Sequence, residues 1–200
     1  MKKLLLTAVY CFITLILNAQ WLQMSGPEGG GVKYFASDGT NIYAASGGVF
    51  KSIDNGASWI AANNGLTTNV VQAIGISGSD ILAGTYDSGI FISSDFGANW
   101  TSISNGLTSN NVRAFAVDGS NLFAGTQNGV FLSTDNGANW TAVNNGFLNT
   151  DINTMAADGS KIYAGCQGLY SSTDNGATWT NISTGTLSVA SVVSIAIDGS

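Results

Sequence analysis

The sequence predicts an all-β chain made of repeated four-stranded antiparallel sheets. Three observations predict it. First, the motif S-x-D-x-G-x-x-W occurs four times. Its copies are Ser52, Asp54, Gly56 and Trp59; Ser93, Asp95, Gly97 and Trp100; Ser133, Asp135, Gly137 and Trp140; and Ser172, Asp174, Gly176 and Trp179. Successive copies start 41, 40 and 39 residues apart, and a fixed period of this size signals a repeat architecture. Second, each period divides into four short apolar or alternating runs bounded by turn residues. Third, 26 of the 200 residues are Gly, one is Pro, 9% are charged and 44% are apolar. That balance suits tight turns between packed strands and excludes a disordered chain.

The third repeat shows the elements in order. Its runs are Val112 to Val117, Asn121 to Gly125, Gly129 to Ser133 and Asn139 to Val143. Asp118-Gly119-Ser120 separates the first two. The same turn recurs as Asp38-Gly39-Thr40, Asp158-Gly159-Ser160 and Asp198-Gly199-Ser200, with Ser77-Gly78-Ser79 as a variant. Asp-Gly supplies the positive backbone dihedrals that tight hairpins require. No helical periodicity interrupts the repeats, which excludes parallel βαβ units. Four strands per repeat is the content of a β-propeller blade, and a solenoid of stacked hairpins is the alternative. The expected blades span residues 27–66, 67–107, 108–147 and 148–187, and residues 188–200 start a fifth.

Trp21-Leu22-Gln23-Met24-Ser25 reads like Trp100-Thr101-Ser102-Ile103-Ser104 but lacks a preceding motif. Residues 20–26 are therefore expected to be an orphan outer strand that completes the last blade of a ring. Four complete blades with a partial first and fifth leave the ring unclosed in this chain. An unpaired sheet edge invites aggregation. The expectation is that these residues are the front portion of a longer protein.

The N-terminus predicts export. Lys2 and Lys3 precede an apolar run of 14 residues, Leu4 to Leu17, too short for a comfortable membrane span. A signal peptide over residues 1–19, cleaved after Ala19, gives a secreted or cell-surface protein with no transmembrane span in the mature chain. A lipid anchor at Cys11 is the rival reading. The mature chain then carries 4 cations against 12 anions, a net charge of −8. Nucleic acid is excluded as a partner, because neutralising its backbone needs many Lys and Arg. There is no His, which removes the commonest general base and metal ligand. Cys166 is alone after cleavage and stands where the other repeats have Ser46, Thr85 and Thr126. It reads as a small buried residue, not a reactive thiol.

The repeated motif resembles the Asp-box, or BNR repeat, of sialidase, xyloglucanase, sortilin-type and photosystem-assembly-factor propellers. The resemblance covers the chain from about Trp21 onward. It implies that each box is the hairpin between the third and fourth strands of a blade, on the blade periphery and away from the ligand face. Ser and Asp would bond backbone amides of the turn, Gly would take a conformation barred to other residues, and Trp would fold beneath the hairpin. The resemblance implies no single function, because the box decorates enzymes, receptors and assembly factors alike.

Candidate chemistry is sparse. Of 12 carboxylates, Asp54, Asp95, Asp135 and Asp174 lie in boxes, and Asp38, Asp80, Asp118, Asp158 and Asp198 lie at first-hairpin turns. Glu28, Asp87 and Asp151 have no evident structural role, and no spacing pairs them for glycoside hydrolysis. Sialidase-like chemistry would need three Arg and a Tyr nucleophile; the chain has one Arg, Arg113. Asp-Asn-Gly lacks the remaining ligands of a calcium loop, and no phosphate loop is present. No metal or cofactor is expected. Asn99-Trp100-Thr101, Asn139-Trp140-Thr141 and Asn181-Ile182-Ser183 are formal glycosylation triplets.

The best site comes from aligning the first strands. Lys33, Gln72, Arg113, Asn153 and Val193 occupy equivalent positions. First strands border the channel of a propeller, so Lys33, Gln72, Arg113 and Asn153 are expected around one mouth. Asp87, Asp151 and the Asn- and Thr-rich loops would share that face. The predicted function is an exported, non-enzymatic module that binds a polysaccharide or protein surface. The alternative is a glycoside hydrolase, sialidase- or xyloglucanase-like, with its acids mostly beyond Ser200.

Overall fold

A computed structural model describes residues 26–27, 31–185 and 190–198. The expected signal peptide, the Trp21–Ser25 strand, Glu28 and Gly199-Ser200 lie outside the described residues. Sixteen described strands form four antiparallel sheets, each in the order of its sequence. Blade 1 holds β1 (Tyr34–Ser37), β2 (Ile42–Ala45), β3 (Val49–Ser52) and β4 (Ile60–Ala61). Blade 2 holds β5 (Val71–Ser77), β6 (Asp80–Thr85), β7 (Ile90–Ser93) and β8 (Thr101–Ser102). Blade 3 holds β9 (Val112–Asp118), β10 (Asn121–Thr126), β11 (Gly129–Ser133) and β12 (Thr141–Ala142). Blade 4 holds β13 (Thr154–Asp158), β14 (Lys161–Cys166), β15 (Gly168–Ser172) and β16 (Thr180–Asn181). These are blades of a β-propeller, and no closed ring forms among the described residues. The first strands β1, β5, β9 and β13 lie against their neighbours and form the inner wall.

The cores lie between blades. Leu122 and Ala124 of β10 pack with Leu82 and Ile90 of blade 2, whereas Phe123 packs with Ile152 and Ile162 of the next repeat. Successive side chains of a strand point to opposite faces, and here both faces are covered. The middle strands consequently read as nearly continuous apolar runs. Gly125 permits the close stacking: a Cβ there would sit 2.7 Å from Ile152 Cγ2.

Two local expectations change. The fourth run of blade 3 was expected over Asn139 to Val143, but β12 is only Thr141–Ala142. Asn139 is bound to Asp135, and the Trp140 N–H donates to Asn105 O of blade 2, so neither joins the ladder. At the first hairpin, Asp118 pairs with Asn121, and Gly119 alone takes a positive φ, 58°, as at the first central position of a type II′ turn. Blade 1 has a wider loop, because Ser37 pairs with Ile42. Asp38 caps it, accepting from the N–H groups of Thr40 and Asn41, the Asn41 amide and the Tyr43 hydroxyl. Burial pushes Asp38 up, but these donors outweigh it and hold the carboxyl at about 2. Residues 190–198 join blade 4 through the Gln167–Ser191 bridge and the Val192 N–H to Cys166 O bond of 2.8 Å.

Candidate functional site

Each box folds the same way. Ser52 Oγ accepts the Gly56 N–H at 2.7 Å and donates to Asp54 Oδ1 at 2.8 Å. Asp54 Oδ1 accepts the Ser58 N–H at 2.8 Å, and Oδ2 accepts the Ser58 hydroxyl at 2.6 Å. The Asp95, Asp135 and Asp174 boxes repeat the pattern with Asn99, Asn139 and Thr178. Two consecutive residues take left-handed backbones, such as Asn136 at φ 56° and Gly137 at 86°. The donated bonds, first those of the Ser58, Asn99 and Thr178 side chains and then the backbone, hold Asp54, Asp95 and Asp174 at about 2. Asp135 is lowered for the same reason, with Asn139 as its main donor. Carboxylates this occupied serve the turn; they are poor candidates for proton transfer.

Three of the four box Trp reach further than their own hairpin. Trp100 Nε1 donates to Ala62 O at 2.8 Å, Trp140 Nε1 to Ile103 O at 2.7 Å and Trp179 Nε1 to Val143 O at 2.8 Å. Each acceptor belongs to the preceding blade. Their backbone N–H groups also donate there, to Asn64, Asn105 and Asn145. Periodicity shows the four Trp but not these partners, which lie 36 to 38 residues upstream.

The aligned first-strand positions converge in part. Lys33, Arg113, Asn153 and Val193 line one cavity of about 670 Å³ on the inner wall, with apolar side chains such as Phe35, Ile74 and Phe115 below them. Gln72 does not line it. It shares a smaller cavity of about 170 Å³ with Lys33, and its Oε1 is buried with no hydrogen-bond partner among the described residues. Leaving such an atom unpaired costs roughly 1–3 kcal/mol. Gln72 and Arg113 each sit where the strand register slips by one residue. A bulge of this kind re-aims a side chain, and nothing in the residue pattern announced it.

Arg113 anchors a polar chain across the mouth. Its Nη1 meets Asp151 Oδ1 at 2.6 Å and donates to Asn153 Oδ1 at 3.3 Å. Its Nε donates to Asn111 Oδ1 at 3.4 Å, and Asn111 donates to Gln127 Oε1 at 3.3 Å. On the other side, Asn153 Nδ2 donates to Ser191 Oγ at 3.1 Å. Asp151 is thus the partner of Arg113, a role its sequence position did not reveal. The pair is half-exposed and worth less than about 1 kcal/mol to stability. Asp87 lies apart in the exposed loop between β6 and β7, accepting the Ser88 hydroxyl. Asn111 and Gln127 belong to this network and lie in loops expected on this face, whereas Ser191 was not singled out by residue type. Cys166 is fully buried, and burial pushes its thiol up to about 11. Among the described residues no three His, Cys, Asp or Glu gather into a metal-holding group, and no described helix is long and apolar enough to cross a membrane.

No protein-family model and no curated protein matches this sequence. Solved structures do resemble it. An ancestral GH74 enzyme is 25% identical, with a TM-score of 0.67 over 78% of this chain and 24% of its own. An extracellular domain from B. thetaiotaomicron is 22% identical, with a TM-score of 0.69 over 83% of this chain and 23% of its own. A GH74 xyloglucanase from Xanthomonas campestris is 17% identical, with a TM-score of 0.60 over 73% and 29%. The chain spans about a quarter of the length of these structures. The likeness establishes the propeller fold.

Proposed function

We propose that this chain is part of an exported Asp-box propeller that binds a polysaccharide or protein surface at the channel mouth without chemical turnover. The blade limits read from the sequence, 27–66, 67–107, 108–147 and 148–187, belong to the same proposal. The observation that carries it is the 670 Å³ cavity whose rim combines Lys33, Arg113 and Asn153 over apolar side chains. Cations and amides above an apolar floor suit hydroxyl-rich or weakly anionic surfaces. Asp151, the carboxylate that meets this rim, is held by Arg113, which supports recognition over acid catalysis. The extracellular neighbour from B. thetaiotaomicron supports the exported setting.

The test is a glycan array probed with the wild type and with Lys33→Glu plus Arg113→Glu, the fold of each checked by thermal melting. Binding that disappears in the folded double variant supports the mouth; unchanged binding rejects it. Likeness to GH74 enzymes keeps a second reading, a glycoside hydrolase. Release of reducing ends from xyloglucan by this chain would replace the binding assignment with that one.

A further inference from the structure

We propose that the groove between blades 1 and 2, at the end of the blades that carries the boxes and first-hairpin turns, binds a neutral oligosaccharide, one sugar ring of which stacks on Phe96. The site shares no lining residue with the channel-mouth cavity. The other repeats act as internal controls. Phe96 stands where the other boxes have Asn55, Asn136 and Asn175. Lys51 stands where they have Ile92, Leu132 and Ser171, and Ile60 where they have Thr101, Thr141 and Thr180. These three departures come from two blades and meet at one place. Lys51 Nζ lies 5.4 Å from the centre of the Phe96 ring. Both residues line a cavity of about 590 Å³ that also holds Thr40 and Ser79, and both line an adjoining one of about 200 Å³ that reaches Ile60.

Phe96 is an expensive choice for the fold. Its φ of 58° is a left-handed backbone that Asn tolerates and a bulky aromatic resists. Asn136 at the same position donates to Asp80 Oδ2 at 2.9 Å, a bond that Phe cannot make. Nor does Phe96 hide its ring: it is 49% exposed, and Ile60 is 58% exposed. The Lys51 ammonium over the ring offsets part of that cost as a cation–π contact, and the exposed remainder of the ring is open to a ligand.

The surroundings define the ligand. A flat aromatic face takes the C–H face of a pyranose ring, and hydroxyl groups at the edge fix its orientation. Thr40 and Ser79 supply those groups, while Lys51 Nζ lies over one face of the Phe96 ring and leaves the other to the sugar. Lys51 is offset by the carboxylates of Asp38 and Asp95 in the same groove, so the site carries no positive field to favour an acidic sugar. The two adjoining cavities suit more than one sugar unit.

The experiment is an NMR titration of the Phe96 ring and Ile60 methyl signals with cellohexaose, laminarihexaose, mannohexaose and a xyloglucan heptasaccharide. Tetragalacturonate serves as the acidic comparison. At least one neutral sugar is expected to shift both signals saturably. Phe96→Asn restores the residue of the other boxes, so it should melt no lower than wild type while the Ile60 shift disappears. Lys33→Glu plus Arg113→Glu should leave the shift intact, which separates this groove from the channel mouth. No shift with any neutral sugar, a shift that survives Phe96→Asn, or binding of tetragalacturonate alone would overturn the proposal.

Discussion

Trp59 and Trp140 occupy the same place in the same motif, yet among the described residues they hold different things together. Trp140 is 3% exposed, and its indole donates across the seam to Ile103 O of blade 2. Trp100 and Trp179 do the same at their seams. Trp59 is half-buried, donates to Gly56 O of its own turn at 3.1 Å, and meets the exposed Phe35 ring at 6.2 Å. The hydrogen bonds of Ser and Asp are alike in all four boxes. The motif therefore has two separable parts: a self-contained turn, and an indole whose worth depends on the blade before it.

The largest test is Trp140→Ala against Trp59→Ala in urea unfolding. Trp140→Ala should cost about 3–5 kcal/mol, as large aromatics in cores do. Trp59→Ala should cost about 1–2 kcal/mol, in proportion to the smaller area it buries. Equal losses would erase the distinction between seam and turn.

Next comes the backbone beneath the seam. Gly106 has φ +90°, and a Cβ there would run into the Trp140 carbonyl. Gly119 has φ +58° with open space around it. Gly119→Ala should cost about 1 kcal/mol from the backbone alone. Gly106→Ala should cost clearly more than that and lower the melting temperature further, because Trp140 must move.

The smallest effect belongs to the turn. Asp54 and Asp95 are both held at about 2, against an ordinary 3.8. A folded-state value below the unfolded one contributes stability above pH 4 that is lost as pH falls toward 2. Asp54→Asn and Asp95→Asn should each flatten the fall in melting temperature over that range, and to the same extent. A larger flattening for Asp95→Asn would show that the seam also governs the turn.

How much of this the sequence carries depends on the range of each interaction. The box closes within eight residues, so its Ser, Asp and Gly roles can be read from residue type and order. Seam bonds join residues 36 to 38 positions apart, and a single motif cannot display them. The first-strand column was visible because repeats can be aligned. The bulges at Gln72 and Arg113 were not, since a slip in register leaves no residue signature. The groove beside the boxes lies between these extremes. Lys51, Ile60 and Phe96 stand out as departures once the copies are compared, but only folding shows that they face one another.

The cores between blades have one more consequence. Each is built half from one repeat and half from the next, and a middle blade has two such neighbours while blade 1 has one described neighbour. Stability then accumulates by nearest-neighbour coupling, one interface per added repeat. Slow amide exchange should therefore persist longer in β6 and β10, which are coupled on both sides, than in β2, whose blade has one described neighbour.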